Sequence, residues 1–221
     1  MNKKDPIIKV ISEQGLVPLY FHPDPDISVE IMKALYAAGV RVIEYTNRGQ
    51  EAMDNLVILK QVAKKDCKGL LLAMGTVMDG EAAEKALHAG ADFLISPGYS
   101  KEVLAVAHHH ERLWIPGCMT PSELMRASRA RIKMVKLFPG NLLGPGFVSS
   151  VKELFPELLF MPTGGVEPEE ANLKAWFGAG VSAVGIGSKL ITKSLIQQKS
   201  FAELTTQTAK LMDHIKAIRK P

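Results

Sequence analysis

A lysine lies in the middle of a short apolar run, where a charged side chain is unexpected. The run Met134-Val-Lys-Leu-Phe138 is typical of a buried strand and is closed by Pro139-Gly140. Ammonium groups are almost never fully buried without a partner, and burial favours the neutral amine, which is the form that attacks a carbonyl carbon. Lys136 is therefore a candidate for Schiff-base catalysis. The alternative is a structural lysine that pairs with a buried carboxylate or extends from a strand end to solvent.

Polar side chains alternate at the end of another apolar run. Glu44, Thr46 and Arg48 are two residues apart, so in a strand all three lie on one face. A carboxylate beside a reactive amine can carry protons to and from the reacting carbons, which makes Glu44 a candidate general acid and base. Its alternative role is an ion pair with a lysine or with Arg48. Arg48 suits a bidentate grip on a substrate carboxylate, unless it is a solvated loop arginine.

Two further strand ends carry candidate substrate contacts. In Met74-Gly75-Thr76 the glycine permits close approach, and the Thr76 hydroxyl could reach a ligand oxygen. The Ser96-Pro97-Gly98 and Pro116-Gly117 segments are turns whose first role is to end a strand and begin a loop. Pro97 is nevertheless included with Thr76 among the predicted substrate-binding residues.

Glycine turns follow the last two apolar runs. They are Thr163-Gly164-Gly165 and Gly185-Ile186-Gly187-Ser188. Backbone N–H groups freed by glycine, a helix N-terminus and a serine hydroxyl can hold a phosphate dianion without a lysine. We therefore predict phosphate binding by Gly164, Gly165, Gly187 and Ser188, and a substrate contact by Thr163. The alternative is that the glycines only make tight turns. Lys189 either adds positive charge there or points to solvent.

Short apolar runs that could position these residues recur at roughly 20 to 30 residues, with helical patterns between them. The runs are residues 16–21, 41–46, 69–75, 93–96, 113–117, 134–138, 158–162 and 183–186. Strands alternating with helices predict a parallel sheet of the α/β class, and eight such units predict a closed (β/α)₈ TIM barrel in one domain, residues 1–221. In that fold the active site lies at the carboxyl ends of the strands, where the candidates above occur.

The alternative architecture is an open doubly wound sheet. Its GxGxxG fingerprint is absent after the first run, where Phe21 is followed by His22-Pro23-Asp24-Pro25. Helix ends are also marked in the sequence. Thr120-Pro121-Ser122-Glu123 has the pattern of a capping box, and Gly39, Gly90 and Gly180 each occupy a position suited to a left-handed residue after a helix. The final helix is expected over residues 201–218.

Charge and composition favour a small anionic substrate over nucleic acid. The chain has 221 residues, is 47% hydrophobic and carries a formal net charge of +4, without a basic tract interleaved with aromatic residues. Residues 1–6 lack the apolar segment of a signal peptide, and no stretch offers about eighteen uninterrupted apolar residues for a membrane span. We therefore expect a cytoplasmic protein that binds neither nucleic acid nor a membrane.

Neither the cysteines nor the histidines predict a metal site. Cys67 and Cys118 lie far apart in sequence and lack the spacing of a disulfide framework or a zinc site, so both are expected to be buried thiols. Three histidines occur in a row at His108-His109-His110. Successive helical residues point about 100° apart, so these three cannot converge on one ion.

Five segments distributed over nearly the whole chain carry a resemblance to a known family. They are Val42-Ile-Glu-Tyr-Thr46, Ile115-Pro-Gly-Cys-Met-Thr-Pro-Ser-Glu123, Val135-Lys-Leu-Phe-Pro-Gly140, Met161-Pro-Thr-Gly-Gly-Val166 and Gly185-Ile-Gly-Ser188. With these segments the chain resembles the 2-keto-3-deoxy-6-phosphogluconate (KDPG) and 4-hydroxy-2-oxoglutarate aldolases.

The resemblance implies a class I aldolase that cleaves KDPG to pyruvate and glyceraldehyde 3-phosphate, with 4-hydroxy-2-oxoglutarate, cleaved to pyruvate and glyoxylate, as a further substrate. It implies that Lys136 forms the imine with pyruvate and that Glu44 is the general acid and base. It places Arg48 and Thr76 at the pyruvyl group, and Gly164, Gly165, Gly187 and Ser188 at the phosphate. It also implies a homotrimer and no metal or organic cofactor.

Two departures from the family pattern concern substrate choice. The third run ends in Ala73-Met74-Gly75-Thr76 where the family usually has Gly-Ala-Gly-Thr, and Met74 could narrow the pocket. Some relatives have an arginine near the end of the first strand, where this chain has Phe21.

Two other functions are compatible with the same residues. One is a phosphate-binding isomerase, epimerase or synthase on the same barrel, with Lys136 acting through its charge. The other is an inactive protein that binds a phosphorylated metabolite, with Glu44 and Lys136 as an ordinary buried ion pair. Fold alone does not separate these functions, and the resemblance favours the aldolase.

Overall fold

Helices and short strands alternate along the chain in the computed structural model, which describes residues 4–219. The strands are β1 Leu16–Tyr20, β2 Val42–Thr46, β3 Leu71–Gly75, β4 Phe93–Ile95, β5 Trp114–Ile115, β6 Gly117–Cys118, β7 Met134–Leu137, β8 Leu159–Pro162 and β9 Val184–Ile186. The helices are α1 Lys4–Gln14, α2 Pro25–Ala37, α3 Ala52–Asp66, α4 Gly80–His88, α5 Lys101–His109, α6 Pro121–Arg129, α7 Gly140–Val151, α8 Glu170–Gly178, α9 Lys193–Gln197 and α10 Phe201–Ile218. The expectation that residues 1–6 form no signal peptide concerns a segment of which residues 1–3 lie outside the described residues.

The strands pair in two parallel sheets and not in one closed barrel. Six strands have the order β5-β4-β3-β2-β1-β9, and three have the order β6-β7-β8. The predicted eight-stranded (β/α)₈ barrel is therefore wrong. The break between β5 and β6 falls at Pro116, which has no amide hydrogen to donate to a ladder. At the other edge, the one isolated β-bridge within the described residues connects Thr163, which follows β8, with Gly185 in the middle of β9.

Apolar side chains form two buried clusters, one on each face of the strands. The larger cluster includes Tyr45 and packs the strands against helices. The smaller includes Val42 and Met134, which come from strands of different sheets. Alternate residues of a strand face opposite sides, so Glu44 and Lys136 lie on the face of the smaller cluster. The two sheets therefore direct Glu44 and Lys136 into the same, mainly apolar interior.

The helix ends confirm most of the signals in the sequence. Thr120 and Glu123 form the predicted capping box at the start of α6. Gly39, Gly90 and Gly180 have φ values of 98°, 97° and 96°, and α10 spans the predicted residues. The short helices α1 and α9 were not predicted. Within residues 4–219, no helix has the length and apolarity needed to cross a membrane.

Candidate active site

Lys136 and Glu44 form a buried ion pair where the two sheets face each other. Strand β7 places Lys136 beside Gly117 of β6, and β2 places Glu44 beside Ala73 of β3. The Lys136 Nζ lies 3.1 Å from Glu44 Oε1 and 3.4 Å from Oε2. Lys136 is 4% exposed and Glu44 is 0% exposed. The buried amine therefore has the carboxylate partner that its burial requires.

Two glycines permit close packing beside this pair. Gly75 ends β3 beside Glu44, and a Cβ at position 75 would overlap the carboxylate. Gly117 lies against the carbonyl group of Pro97, and a Cβ there would overlap it. A larger residue at either position would have to displace a neighbour, so the two glycines are part of the site.

A cavity of about 450 Å³ lies next to the pair at the carboxyl ends of the strands. Phe138 lies between the cavity and the ion pair, since it lines the cavity and its ring centre is 5.4 Å from Lys136 Nζ. Most of the predicted substrate-binding and phosphate-binding residues line this one cavity. They are Arg48, Thr163, Gly164, Gly165, Gly187 and Ser188.

Thr76 and Pro97 are not among the residues that line the cavity. Thr76 follows Gly75, which contacts Glu44, and Pro97 contacts Gly117, which pairs with Lys136. Both are thus one residue removed from the ion pair. Thr76 has a φ of 58°, a left-handed conformation that residues with a Cβ adopt rarely.

Thr163 directs an unpartnered hydroxyl group into the buried part of the site. The residue is 3% exposed, and its Oγ1 has no hydrogen-bond partner among the described residues. Its backbone is held firmly, because its N–H donates to the Leu137 carbonyl at 2.9 Å and its carbonyl accepts from Gly140 N–H at 2.8 Å. Buried polar groups normally have a partner, so this hydroxyl is available to a ligand.

The turn after β8 is held against the first residues of α7. Gly164 and Gly165 have φ values of 87° and 74°, and the Asn141 N–H donates to the Gly164 carbonyl at 2.8 Å. The carbonyl and the N–H of one trans peptide unit point in opposite directions. The Gly165 N–H is therefore directed away from α7, as an anion bound in the cavity requires.

Phe21 forms one wall of the cavity, and a buried hydrogen-bond network holds its loop. The carbonyl group of the next residue, His22, accepts hydrogen bonds from Ser28 Oγ at 3.0 Å, Tyr45 OH at 3.0 Å and Asn55 Nδ2 at 3.1 Å. These three donors belong to buried residues. The wall is consequently fixed by side chains of α2, β2 and α3.

Met74 does not narrow the cavity, contrary to the possibility raised by the sequence. It is fully buried in the larger apolar cluster, on the face of β3 that packs against helices. Its neighbours in β3, Ala73 and Gly75, face the other side. Phe21 is therefore the departure from the family pattern that reaches the site.

Three cationic side chains line the cavity, and no carboxylate does so within residues 4–219. They are Arg48, Lys189 and Lys193. Lys189 Nζ lies 2.8 Å from Glu167 Oε1, and this hydrogen bond and charge raise the pKa of Lys189. Lys193 and Phe138 were not assigned to the site from the sequence, although Phe138 belongs to a segment that carries the resemblance.

The two cysteines are buried thiols, as predicted, with exposed fractions of 2% for Cys67 and 1% for Cys118. Burial, together with the nearby Glu123 carboxylate, raises the pKa of Cys118 to about 12. A thiol with that pKa is not a nucleophile near neutral pH. Within the described part of the chain, no three His, Cys, Asp or Glu side chains are grouped closely enough to hold a metal ion.

A family model and individual known proteins that resemble this chain all point to the same family. Residues 7–207 match the family of KDPG and KHG aldolases. The 2-dehydro-3-deoxy-phosphogluconate aldolase of Treponema pallidum (strain Nichols) is 32% identical over 161 residues, which cover 72% of this chain and 75% of that protein. The KHG/KDPG aldolase of Escherichia coli (strain K12) is 29% identical over 206 residues, which cover 92% of this chain and 93% of that protein.

A solved structure shares both the fold and part of the sequence. It is the KDPG aldolase from Legionella pneumophila with pyruvate captured at low pH as a covalent carbinolamine intermediate. The two chains superpose with a TM-score of 0.84 and 26% identity, over 92% of this chain and 97% of that chain. Sequence and structure thus agree, and the chain belongs to the KDPG and KHG aldolase family.

Proposed function

We propose that this chain is a class I aldolase, a carbon–carbon lyase in which Lys136 forms an imine with the C2 carbonyl of a keto acid. The observation that carries the proposal is the contact of 3.1 Å between Lys136 Nζ and Glu44 Oε1. It supplies a buried amine and, within hydrogen-bond reach, a group that can accept and return its protons. The Legionella relative with its covalent pyruvate intermediate supports the same chemistry.

Imine formation needs four proton transfers, and Glu44 is placed to make them. The ammonium first gives a proton to the carboxylate, and the neutral amine attacks C2 of the substrate. Glu44 then gives this proton to the C2 oxygen. The nitrogen, now positively charged, gives one of its protons back to Glu44, which leaves a neutral carbinolamine. Protonation of its hydroxyl by Glu44 then releases water and leaves the iminium ion.

Cleavage uses the iminium as an electron sink. Glu44 takes the proton from the C4 hydroxyl, the C4–O bond becomes a carbonyl, and the electrons of the C3–C4 bond move to the nitrogen. The aldehyde leaves, and an enamine of pyruvate stays on Lys136. Glu44 protonates C3, and water hydrolyses the resulting imine to release pyruvate and the free amine.

The cavity supports KDPG as the substrate, with glyceraldehyde 3-phosphate as the aldehyde product. Gly164, Gly165, Gly187 and Ser188 would hold the phosphate group, and Thr163 would hydrogen-bond to the chain of the sugar acid. Arg48 and Thr76 would contact the carboxylate end. The same amine and carboxylate would cleave 4-hydroxy-2-oxoglutarate, which has the same C1 to C4 functional groups.

Trapping of the imine tests the mechanism. The protein is incubated with pyruvate, reduced with borohydride and digested, and the adduct is located by peptide mass spectrometry. We expect the adduct on Lys136, none in a Lys136→Arg variant, and an undiminished adduct in Lys133→Ala, which removes an exposed lysine three residues away. An unmodified Lys136 in the folded protein would refute the covalent mechanism.

The extent of the functional unit and its assembly stay predictions. We take residues 1–221 as one aldolase domain that forms a homotrimer in the cytoplasm. Exposed methionines, namely Met78 at 63%, Met119 at 39% and Met125 at 45%, offer apolar surface for contacts between copies. Light scattering on the purified protein measures the mass of the assembly, and a monomer would contradict the trimer.

A further inference from the structure

The two lysines that line the cavity differ in how their charge is compensated. Lys189 is paired with Glu167 at 2.8 Å, so the two charges largely cancel for a ligand at a distance. Lys193 lines the same cavity, and no carboxylate oxygen of residues 6–219 lies within 4.0 Å of its ammonium group. Lys193 therefore adds net positive charge at the cavity, whereas the Lys189–Glu167 pair adds none.

Lys193 begins the short helix α9, which follows the predicted phosphate-binding turn closely in sequence. After β9, the Gly187 carbonyl accepts hydrogen bonds from the N–H groups of Leu190 and Ile191, both at 2.9 Å. Thr192 then caps α9 by accepting the Leu195 N–H at 3.2 Å. These hydrogen bonds fix the short segment between Ser188 and Lys193, and both residues line one cavity.

We propose that Lys193 is a specificity-determining residue that selects substrates with a phosphate group at the end remote from the keto group. This inference rests on the proposed aldolase function. It adds Lys193 to the predicted phosphate-binding residues, which are the glycines of the two turns and Ser188. The backbone N–H groups supply directional hydrogen bonds, whereas Lys193 supplies the net charge that they lack. A phosphate dianion gains from that charge, and the same sugar acid with a free hydroxyl group does not.

Lys193 is an exposed residue, so its attraction for a phosphate group should also depend on the salt concentration. Attraction between charges in contact with water weakens as ionic strength rises. If Lys193 attracts the phosphate, added salt lowers kcat/KM for the phosphorylated substrate in the unaltered protein, and it does so less steeply when Lys193 is replaced. A purely structural role for Lys193 would not change the salt dependence.

The test measures kcat and KM for KDPG and for the same sugar acid without its phosphate. We expect Lys193→Met to lower kcat/KM for KDPG by about tenfold, through KM and not kcat, because one charge-assisted contact to the phosphate is lost. The unphosphorylated sugar acid should be cleaved within twofold of the unaltered rate. The inhibition constant of inorganic phosphate should rise as the KM for KDPG does.

Two matched variants serve as controls. The double variant Lys189→Met with Glu167→Gln removes both members of the ion pair and leaves the net charge unchanged, so we expect a smaller effect on KDPG than from Lys193→Met. Lys174→Met removes an exposed lysine of α8 that is paired with Glu170 at 2.6 Å and does not line the cavity, so the kinetics should not change.

Equal losses on both substrates in Lys193→Met, or no loss on KDPG, would overturn the role of Lys193 while leaving the aldolase intact. A separate outcome concerns the proposed function. If the unaltered protein forms no pyruvate adduct and cleaves neither sugar acid, both the aldolase proposal and this inference are refuted.

Discussion

Gly75 lies directly against the Glu44 carboxylate. A Cβ at position 75 would overlap the Oε1, Cγ and Cδ atoms of Glu44. The backbone of Gly75 itself is not left-handed, so a side chain is excluded there by Glu44 and not by the φ angle. Glycine at the end of β3 therefore sets the position of the acid and base of the site.

Gly75→Ala should impair catalysis more than folding. The added methyl group must displace Glu44 from its contact with Lys136, and a shift of about 1 Å at a reacting group costs roughly 100-fold in kcat. The matched control is Gly98→Ala, because a Cβ at position 98 meets no atom within 4 Å. Steady-state kinetics and circular dichroism measure the two effects. A Gly75→Ala variant within twofold of the unaltered kcat would contradict this account.

Removal of one member of the buried pair should destabilise the protein. Lys136→Met leaves the Glu44 carboxylate buried and without its partner, which costs about 3–5 kcal/mol in the free energy of unfolding. The double variant Glu44→Leu with Lys136→Met replaces the pair by apolar side chains, and we expect it to recover most of that loss without any aldolase activity. Urea denaturation measures both variants. If the double variant is no more stable than Lys136→Met, the pair is not the source of the loss.

Glu123 should make unfolding depend on pH in the acid range. Burial favours its protonated form, but hydrogen bonds from the N–H groups of Met119 and Thr120 and from the Thr120 hydroxyl outweigh this and lower the pKa of Glu123. Because the unfolded chain then binds the proton more tightly, the stabilisation is complete above the ordinary glutamate pKa of about 4.3. It is lost as the pH falls through the lower pKa of the folded state.

The corresponding experiment compares unfolding of the unaltered protein and Glu123→Gln between pH 3 and pH 7. We expect the variant to be less stable by about 1 kcal/mol at pH 7, as for loss of a helix cap, and the difference to shrink below about pH 4. Glu30→Gln changes an exposed glutamate in the middle of α2 and serves as the control. A difference that stays constant with pH would exclude the Glu123 carboxylate as its cause.

Three helices, α5, α6 and α9, end in a left-handed residue that is not glycine. Glu111 and Arg131 have φ values of 52° and 56° after α5 and α6, in the same position relative to the helix that Gly39 occupies after α2. Glu111→Gly and Arg131→Gly should each raise the free energy of unfolding by about 0.5–1 kcal/mol, because a Cβ disfavours this conformation. Gly39→Ala should lower it by a similar amount. Thermal denaturation measures the stability of the three variants. If both glycine variants were less stable than the unaltered protein, this explanation would be wrong.

The strands and the ion pair could be predicted from local patterns. A strand begins within each apolar run because residues that alternate between two buried faces have a recognisable composition. Lys136 stood out because a charged residue within such a run needs a partner, and the alternation of Glu44, Thr46 and Arg48 indicated which strand supplied it. Thr163, Gly164 and Gly165 were identified because turns at the carboxyl ends of parallel strands meet at one edge.

The connection between the sheets was not predictable in the same way. The run at residues 113–117 has the composition of one strand, but Pro116 divides it between two ladders. Which neighbours a strand pairs with depends on contacts between segments remote in sequence. The same limit applies to Lys193, since nothing near it in sequence indicates that the first residue of α9 also lines the cavity.

The hydrogen bonds that hold the loop after β1 end on main-chain oxygen atoms. Ser28, Tyr45 and Asn55 all donate to the His22 carbonyl, and Asn55 also donates to the Pro23 carbonyl at 2.9 Å. Every amino acid has a carbonyl group, so the loop keeps its course whatever side chain precedes it at position 21. Evolution or an engineer can therefore exchange the Phe21 wall, and with it the range of aldehydes accepted, without rebuilding the surrounding scaffold.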